Sequence, residues 1–373
     1  VKFRFVAAWL LLTLIAGCGD SARLQGAAPV AFFERGAFPQ QLSDWRLFQV
    51  YAGELVPNER VIPYDLKSAL FTDYAHKFRT VYVPEGEAPA ATLAGGGFDL
   101  PVGSILSKTF YYPNSAGGLL KARDMVEDFS AAGLALNKVK LIETRLLVHT
   151  TSGWIGLPYV WNDAGSEATL EVTGAQFDLR FSDTGESFSY AVPDFNQCKG
   201  CHMENLTAAT MAPVGFKAHH LDKAYGPLQA TGNQLSRLVE HGYLASDEVT
   251  VEGVVDWRNT NQSLDDRARS YLDINCGHCH NEVGAADTSG MFLTRTTMEP
   301  IRLGLCKPPV AAGQGTGGRA MGIDPGAANN SILVYRMASD DLGAMMPELG
   351  RSLVHQEGVA LIEEWVNKMP GEC

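Results

Sequence analysis

The chain has 373 residues, 46% of them hydrophobic, with 42 acidic against 30 basic side chains and a formal net charge of −12. That length accommodates two or three domains. The carboxylate surplus argues against nucleic acid as a partner, because a phosphate backbone is bound by a basic face.

At the N-terminus, Lys2 and Arg4 precede an apolar run from Phe5 to Ala16, too short to cross a bilayer, which takes about 20 residues. The run ends in Leu14-Ile15-Ala16-Gly17 and then Cys18. This pattern reads as a lipoprotein signal over residues 1–17, with Cys18 as the lipidated residue and membrane anchor. An ordinary secretory signal with an incidental Cys18 is the alternative. In bacterial lipoproteins similar to this one, an acid next to the lipidated cysteine favours retention in the inner membrane. Here Gly19 stands next to it and Asp20 one place later, so the periplasmic face of the outer membrane is favoured. Residues 18–30 form a short tether.

Residues 31–192 read as β-rich. Aromatic and β-branched runs predict strands at Phe78–Val83, Ile105–Tyr112, Val139–Thr150, Trp154–Trp161, Ala168–Val172, Gln176–Phe181 and Ser187–Val192, separated by Gly, Pro, Asn and Asp clusters. Strands spaced this way predict an all-β sandwich or partly closed barrel. The aromatic residues here, among them Trp45, Tyr64, Tyr112 and Trp161, fit core packing better than a polymer-binding groove. His76 and His149 are isolated and read as structural.

Two short motifs carry the chemistry. Cys198-Lys199-Gly200-Cys201-His202 and, 78 positions later, Cys276-Gly277-His278-Cys279-His280 are both C-x-x-C-H, the attachment pattern of a c-type haem. Two thiols add to the haem vinyl groups and the following histidine becomes the proximal iron ligand. The residue pattern therefore predicts two covalent haems, with His202 and His280 as ligands. A zinc site is the rival, but paired C-x-x-C units on one zinc lie about 15–20 residues apart and need no following histidine.

The first motif heads a reduced haem module, 193–245, entered from a strand-like segment rather than a helix, with Met211 and His219 as candidate sixth ligands. A helix is predicted from Asn233 to Glu240, stopping at Gly242. Residues 246–262 read as a polar linker. In the second module, 263–373, Ser263 caps a helix whose Leu264, Ala268, Tyr271 and Leu272 share one face and which runs into Cys276. A Gly/Pro-rich loop, Pro308 to Gly326, packs round a haem edge, with Arg319 a candidate propionate partner. Met346 is the expected sixth ligand of the second haem, because Pro347 bars regular helix and leaves a loop able to turn a thioether. Met345 is the fallback, and a methionine that simply fills the core is the alternative. A helix from Gln356 to Lys368 closes the chain. Cys306 and Cys373 are left over and, in an oxidising compartment, are expected to pair; free thiols are the alternative.

The order Leu14–Cys18, β-rich segment, NQCKGCH, YLDINCGHCH, CKPPVAAGQGTGG, MMPELGR and LIEEWV resembles a family of bacterial diheme c-type cytochrome lipoproteins to which no reaction is assigned. The C-terminal third resembles class I cytochrome c. The residue patterns predict a multidomain α+β chain, N-terminal all-β and then mainly α cytochrome c-like haem modules; the resemblance implies haem binding and electron transfer, with redox proteins in the periplasm as the expected partners. Two other functions stay open. One is a peroxidase- or oxidase-type enzyme with an open iron at the first haem; the other is a haem-bearing surface binding protein.

Overall fold

The computed structural model describes residues 28–115, 117–121, 133–205, 210–224, 232–249, 253–310 and 312–373. The expected signal and Cys18 lie outside the described residues. Among the described residues, no helix is long and apolar enough to cross a membrane.

The N-terminal half is all β. Its strands are β1 (Phe48–Tyr51), β2 (Glu54–Pro57), β3 (Ile62–Tyr64), β4 (His76–Tyr82), β5 (Ile105–Ser115), β6 (Gly118–Leu119), β7 (Leu134–Ala135), β8 (Val139–Thr150), β9 (Gly153–Trp161), β10 (Ala168–Leu170), β11 (Ala175–Arg180) and β12 (Ser187–Val192). The main sheet is antiparallel in the order β10-β9-β8-β5-β4-β3, with β6 on the end of β5. Among the described residues it is open, with β10 and β3 as its outer strands. β1, β2 and β7 form a small three-stranded sheet, and β11 and β12 a hairpin.

Side-chain alternation along these strands sets the two faces of the main sheet. One face carries Phe78, Ile105, Leu146, Val148, Ile155, Leu157 and Tyr159 into a first core with Trp45, Leu47 and Leu55. Trp45 Nε1 donates to the Tyr159 hydroxyl at 2.7 Å, which in turn donates to the Pro39 carbonyl at 2.8 Å. The aromatics of this half are therefore mostly core. The other face turns towards the rest of the chain and is half apolar, half charged.

Beyond β12 come α1 (Gln197–His202), β13 (Met203–Asn205), β14 (Thr210–Met211), α2 (Ala218–Leu221), α3 (Gln234–Glu240), α4 (Leu264–Asn275), α5 (Pro300–Leu303), α6 (Ile332–Ala338) and α7 (Gln356–Asn367). Asn233 caps α3 by accepting from Leu235 N at 2.9 Å, and Ser263 caps α4 by accepting from Asp266 N at 3.0 Å, each satisfying an orphan donor. α4 packs against α7, burying Tyr271, Leu272, Val359, Ile362, Trp365 and Val366 in a common core with Leu333 and Met337 of α6. Cys306 and Cys373 are joined by a disulfide with Cα atoms 5.2 Å apart.

The expected segment borders are not borders between cores. Ile62, Val81, Leu106 and Leu147 of the sheet share a core with Phe216, Leu221, Leu235 and Leu238, and with Ile274 of α4. The expected linker is likewise built in: Trp257 is 8% exposed and donates Nε1 to the Ala69 carbonyl at 3.2 Å.

Candidate cofactor cavity

The two C-x-x-C-H motifs reach the same place by different routes. The first is itself a helical turn, α1, wound directly off the end of β12. Asp194 Oδ1 accepts from the backbone N–H groups of Asn196 and Gln197 at 2.7 and 2.8 Å, which starts the turn. Cys198 then lies against the backbone of β9 at Gly156. A Cβ there would sit 2.9 Å from Cys198 Cβ and 3.0 Å from its Sγ. The second motif is delivered by α4, whose last carbonyls, Leu272 and Asp273, accept from Cys276 and Gly277 N.

Both terminal histidines are held from behind. His202 Nδ1 is 2.9 Å from the Ala212 carbonyl oxygen, and His280 Nδ1 is 3.1 Å from that of Met291. A carbonyl can only accept, so Nδ1 carries the proton and Nε2 is left with its lone pair, the arrangement of a metal-ligating imidazole. Burial, with Lys108 beside it, pushes His202 down to about 3, and burial also lowers His280. Both rings are thus neutral at pH 7. Burial pushes the Cys276 and Cys279 thiols up to about 12 and raises those of Cys198 and Cys201.

The motifs touch: Cys279 Sγ is 3.7 Å from the Gly200 carbonyl oxygen. Cys198, Cys201, His202, Cys276, Cys279 and His280 all line one cavity of about 960 Å³, at the upper end of the range for cofactor pockets, roughly 300–1,000 Å³. The sheet forms one wall, and the segment from Met337 to His355 forms another.

Met345 and Met346 are both on that second wall. Met345 is 3% exposed and Met346 half-buried. Arg351 secures their loop, donating to the carbonyls of Arg336, Ser339, Met346 and Leu353. Three expectations need correction. Met211 is not on the cavity wall: it pairs with Met203 in the β13–β14 hairpin, next to Ala212, whose carbonyl holds His202 from behind. His219 is buried beside Asp273, its Nε2 3.4 Å from Oδ2, away from the cavity. Arg319 lies over the Tyr335 ring at 4.2 Å and donates to the Asn329 carbonyl, also away from it.

Sequence reasoning missed the electrostatics of the wall. Arg79, Lys108, Arg145, Lys307, Arg336 and Arg351 line the cavity against two carboxylates, Asp73 and Glu348, although the whole chain is acidic. It also missed a buried cluster next to the second motif. His219 and His220 both approach Asp273 Oδ2, His220 Nε2 at 2.8 Å. Burial pushes the Asp273 carboxyl up, but the two imidazoles outweigh it and hold the group well below the usual carboxylate range. Neither signal is visible in the spacing of the sequence.

Set against models of known families, curated proteins and solved structures, the chain matches none of them.

Proposed function

We propose that the chain is an exported, lipid-anchored electron carrier that binds two c-type haems, one through Cys198, Cys201 and His202 and the other through Cys276, Cys279 and His280. The single observation that carries this reading is the meeting of both motifs at 3.7 Å in one cavity, each histidine presenting an unprotonated Nε2. A zinc ion needs only its ligand atoms, not a cavity of this size in front of them.

When bound, haem supplies a one-electron couple; the chain supplies attachment, neutral imidazoles, exclusion of water and charge. Six cations against two carboxylates leave the wall positive, which suits the propionate side chains of two haems. Met345 and Met346, both on the cavity wall, would be the residues to offer the second iron a thioether, and a His/Met pair would raise its potential. The proposed cytochrome c-like character of residues 263–373 rests on α4, the Met345-Met346 loop and α7 packing together around that motif. The proposed periplasmic location rests on Phe5 to Cys18 in the sequence. It also rests on the Cys306–Cys373 disulfide, a bond that persists in oxidising compartments. Its partners would be redox proteins in the periplasm.

Intact mass spectrometry with electron paramagnetic resonance tests the reading. The expected result is two covalently added haems per chain and two low-spin signals. One added haem or none would remove the diheme reading; a high-spin signal would replace the carrier with an enzyme open at one iron.

A further inference from the structure

We propose that the row Arg79–Lys108–Arg145 on the cavity face of the sheet is an anion seat, with Lys108 the charge left free for a bound carboxylate or small oxyanion. The three residues lie directly opposite one another on adjacent strands: Arg79 pairs with Lys108 across β4 and β5, and Lys108 with Arg145 across β5 and β8. Like charges so placed repel, and a buried charge without a partner is costly. Two of the three are answered from outside the cavity wall. Arg79 meets Asp65 Oδ1 at 3.1 Å, and Arg145 makes a two-pronged pair with Glu143, at 2.8 and 2.5 Å. Glu143 also accepts from the Tyr190 hydroxyl, and Asp65 from Lys223, so neither carboxylate has charge to spare.

Lys108 is different. Among the described residues, its Nζ makes no hydrogen bond or ion pair; its neighbour is the Phe110 ring, 5.5 Å away. The same ring lies 4.3 Å from the Arg145 guanidinium carbon and 5.6 Å from Lys77 Nζ, so three cations surround one aromatic ring. The carboxylates answering Arg79 and Arg145 do not line the cavity, whereas all three cations do. An anion arriving from the cavity side would complete the row.

Two sources share this chemistry. One is a haem propionate, which rests on the proposed function above; the other is a diffusible oxyanion, which does not. The test uses the holoprotein, with haem content fixed by intact mass for every variant so that a failed haem reading is seen separately. Thermal unfolding and the Soret band of wild type, Lys108→Met and Lys108→Arg are compared after exhaustive dialysis into chloride, then with added sodium nitrite or sodium sulfite. A lower Tm for Lys108→Met in chloride, restored by Lys108→Arg, supports a resident carboxylate. A higher Tm for Lys108→Met in chloride, with nitrite or sulfite raising Tm and shifting the Soret band in wild type but not in the variant, supports a diffusible anion. If Lys108→Met is as stable as wild type or more so, and neither salt separates the two proteins, the proposal is overturned. Should Lys108→Met not accumulate, Lys108→Gln, equally uncharged, takes its place.

Discussion

Cys279 Sγ packs 3.7 Å from the carbonyl oxygen of Gly200, placing the second thiol pair of the chain against the inside of the first. Groups attached at the two motifs are therefore neighbours within one low-dielectric space, where the charge of each is felt strongly by the other. On the diheme reading, replacing Cys276 and Cys279 with serine should remove one covalent haem. It is expected to shift the reduction potential of the remaining haem, because a charged neighbour is exchanged for solvent. Spectroelectrochemistry of the single-haem variant checks this. An unchanged potential would mean that the two sites are insulated from each other.

Met345 and Met346 differ in burial, and that difference separates their roles. Met345 is almost fully buried, so Met345→Ala is expected to cost about 2–5 kcal/mol of stability while leaving the iron spectrum intact. Met346 is half-buried at the cavity wall, so Met346→Ala is expected to lower the potential of the second haem with a smaller stability loss. Denaturant unfolding and a redox titration of both variants decide it; the opposite pattern assigns Met345 to the iron.

Asp73 gives a pH signature. Burial pushes its carboxyl up to about 6, against hydrogen bonds from Leu353 and Ser352 N–H, both 2.7 Å to Oδ1. The folded state then holds this proton more tightly than the unfolded chain, where an aspartate titrates near 3.9. Its contribution to stability is thus complete below about pH 4 and is lost as pH rises through about 6, by at most about 3 kcal/mol. Asp73→Asn keeps an acceptor for both N–H groups without the titration. The stability difference between wild type and variant should move in the variant's favour between pH 4 and 6 and stay level above. A difference that does not change across that window would exclude a raised carboxyl.

Most strands were legible because aromatic and β-branched runs end in clear turn signals; the predicted Ile105–Tyr112 and Val139–Thr150 lie within or match β5 and β8. β1 to β3 were missed: they are three or four residues long, and β2 and β3 contain proline. The charged alternation of Lys77, Arg79, Lys108, Glu143 and Arg145 looks like a solvent face in sequence. It faces inward only because later residues cover that side of the sheet, a long-range fact that no local pattern carries. Met211 misled for a related reason. Closeness in sequence to His202 made it a candidate, but β14 pairs with β13 and leaves Met211 off the cavity wall.

The Cys306–Cys373 bond closes a loop of 67 residues that contains α6, Met345, Met346 and α7. In the chain-entropy model a loop of that length is worth about 4 kcal/mol. A double serine variant is expected to unfold at lower guanidinium concentration by that order, and non-reducing peptide mapping of the wild type should recover one cross-linked peptide. The loss should fall on the second haem first, since the loop carries one wall of the cavity, Met345 and Met346 included. Recovery of both cysteines as alkylatable thiols in native protein would sink the assignment.

Gly156 offers the sharpest test of how the first motif is seated. An added Cβ would meet Cys198 Cβ and Sγ at 2.9 and 3.0 Å, closer than real contacts allow. Neither partner can move freely, because α1 is pinned through Asp194 and Gly156 is paired with Leu147 of β8. Gly156→Ala is therefore expected to lift α1 from the sheet, costing about 1–3 kcal/mol and impairing attachment at Cys198 while the second motif is loaded normally. Gly200→Ala is the control, since its Cβ would meet only the Leu349 Cδ1 methyl at 3.0 Å, the free end of a side chain that can rotate away. Intact mass should show one haem on most Gly156→Ala molecules and two on Gly200→Ala. Two haems and wild-type stability in Gly156→Ala would show that Cys198 does not depend on the bare backbone of β9.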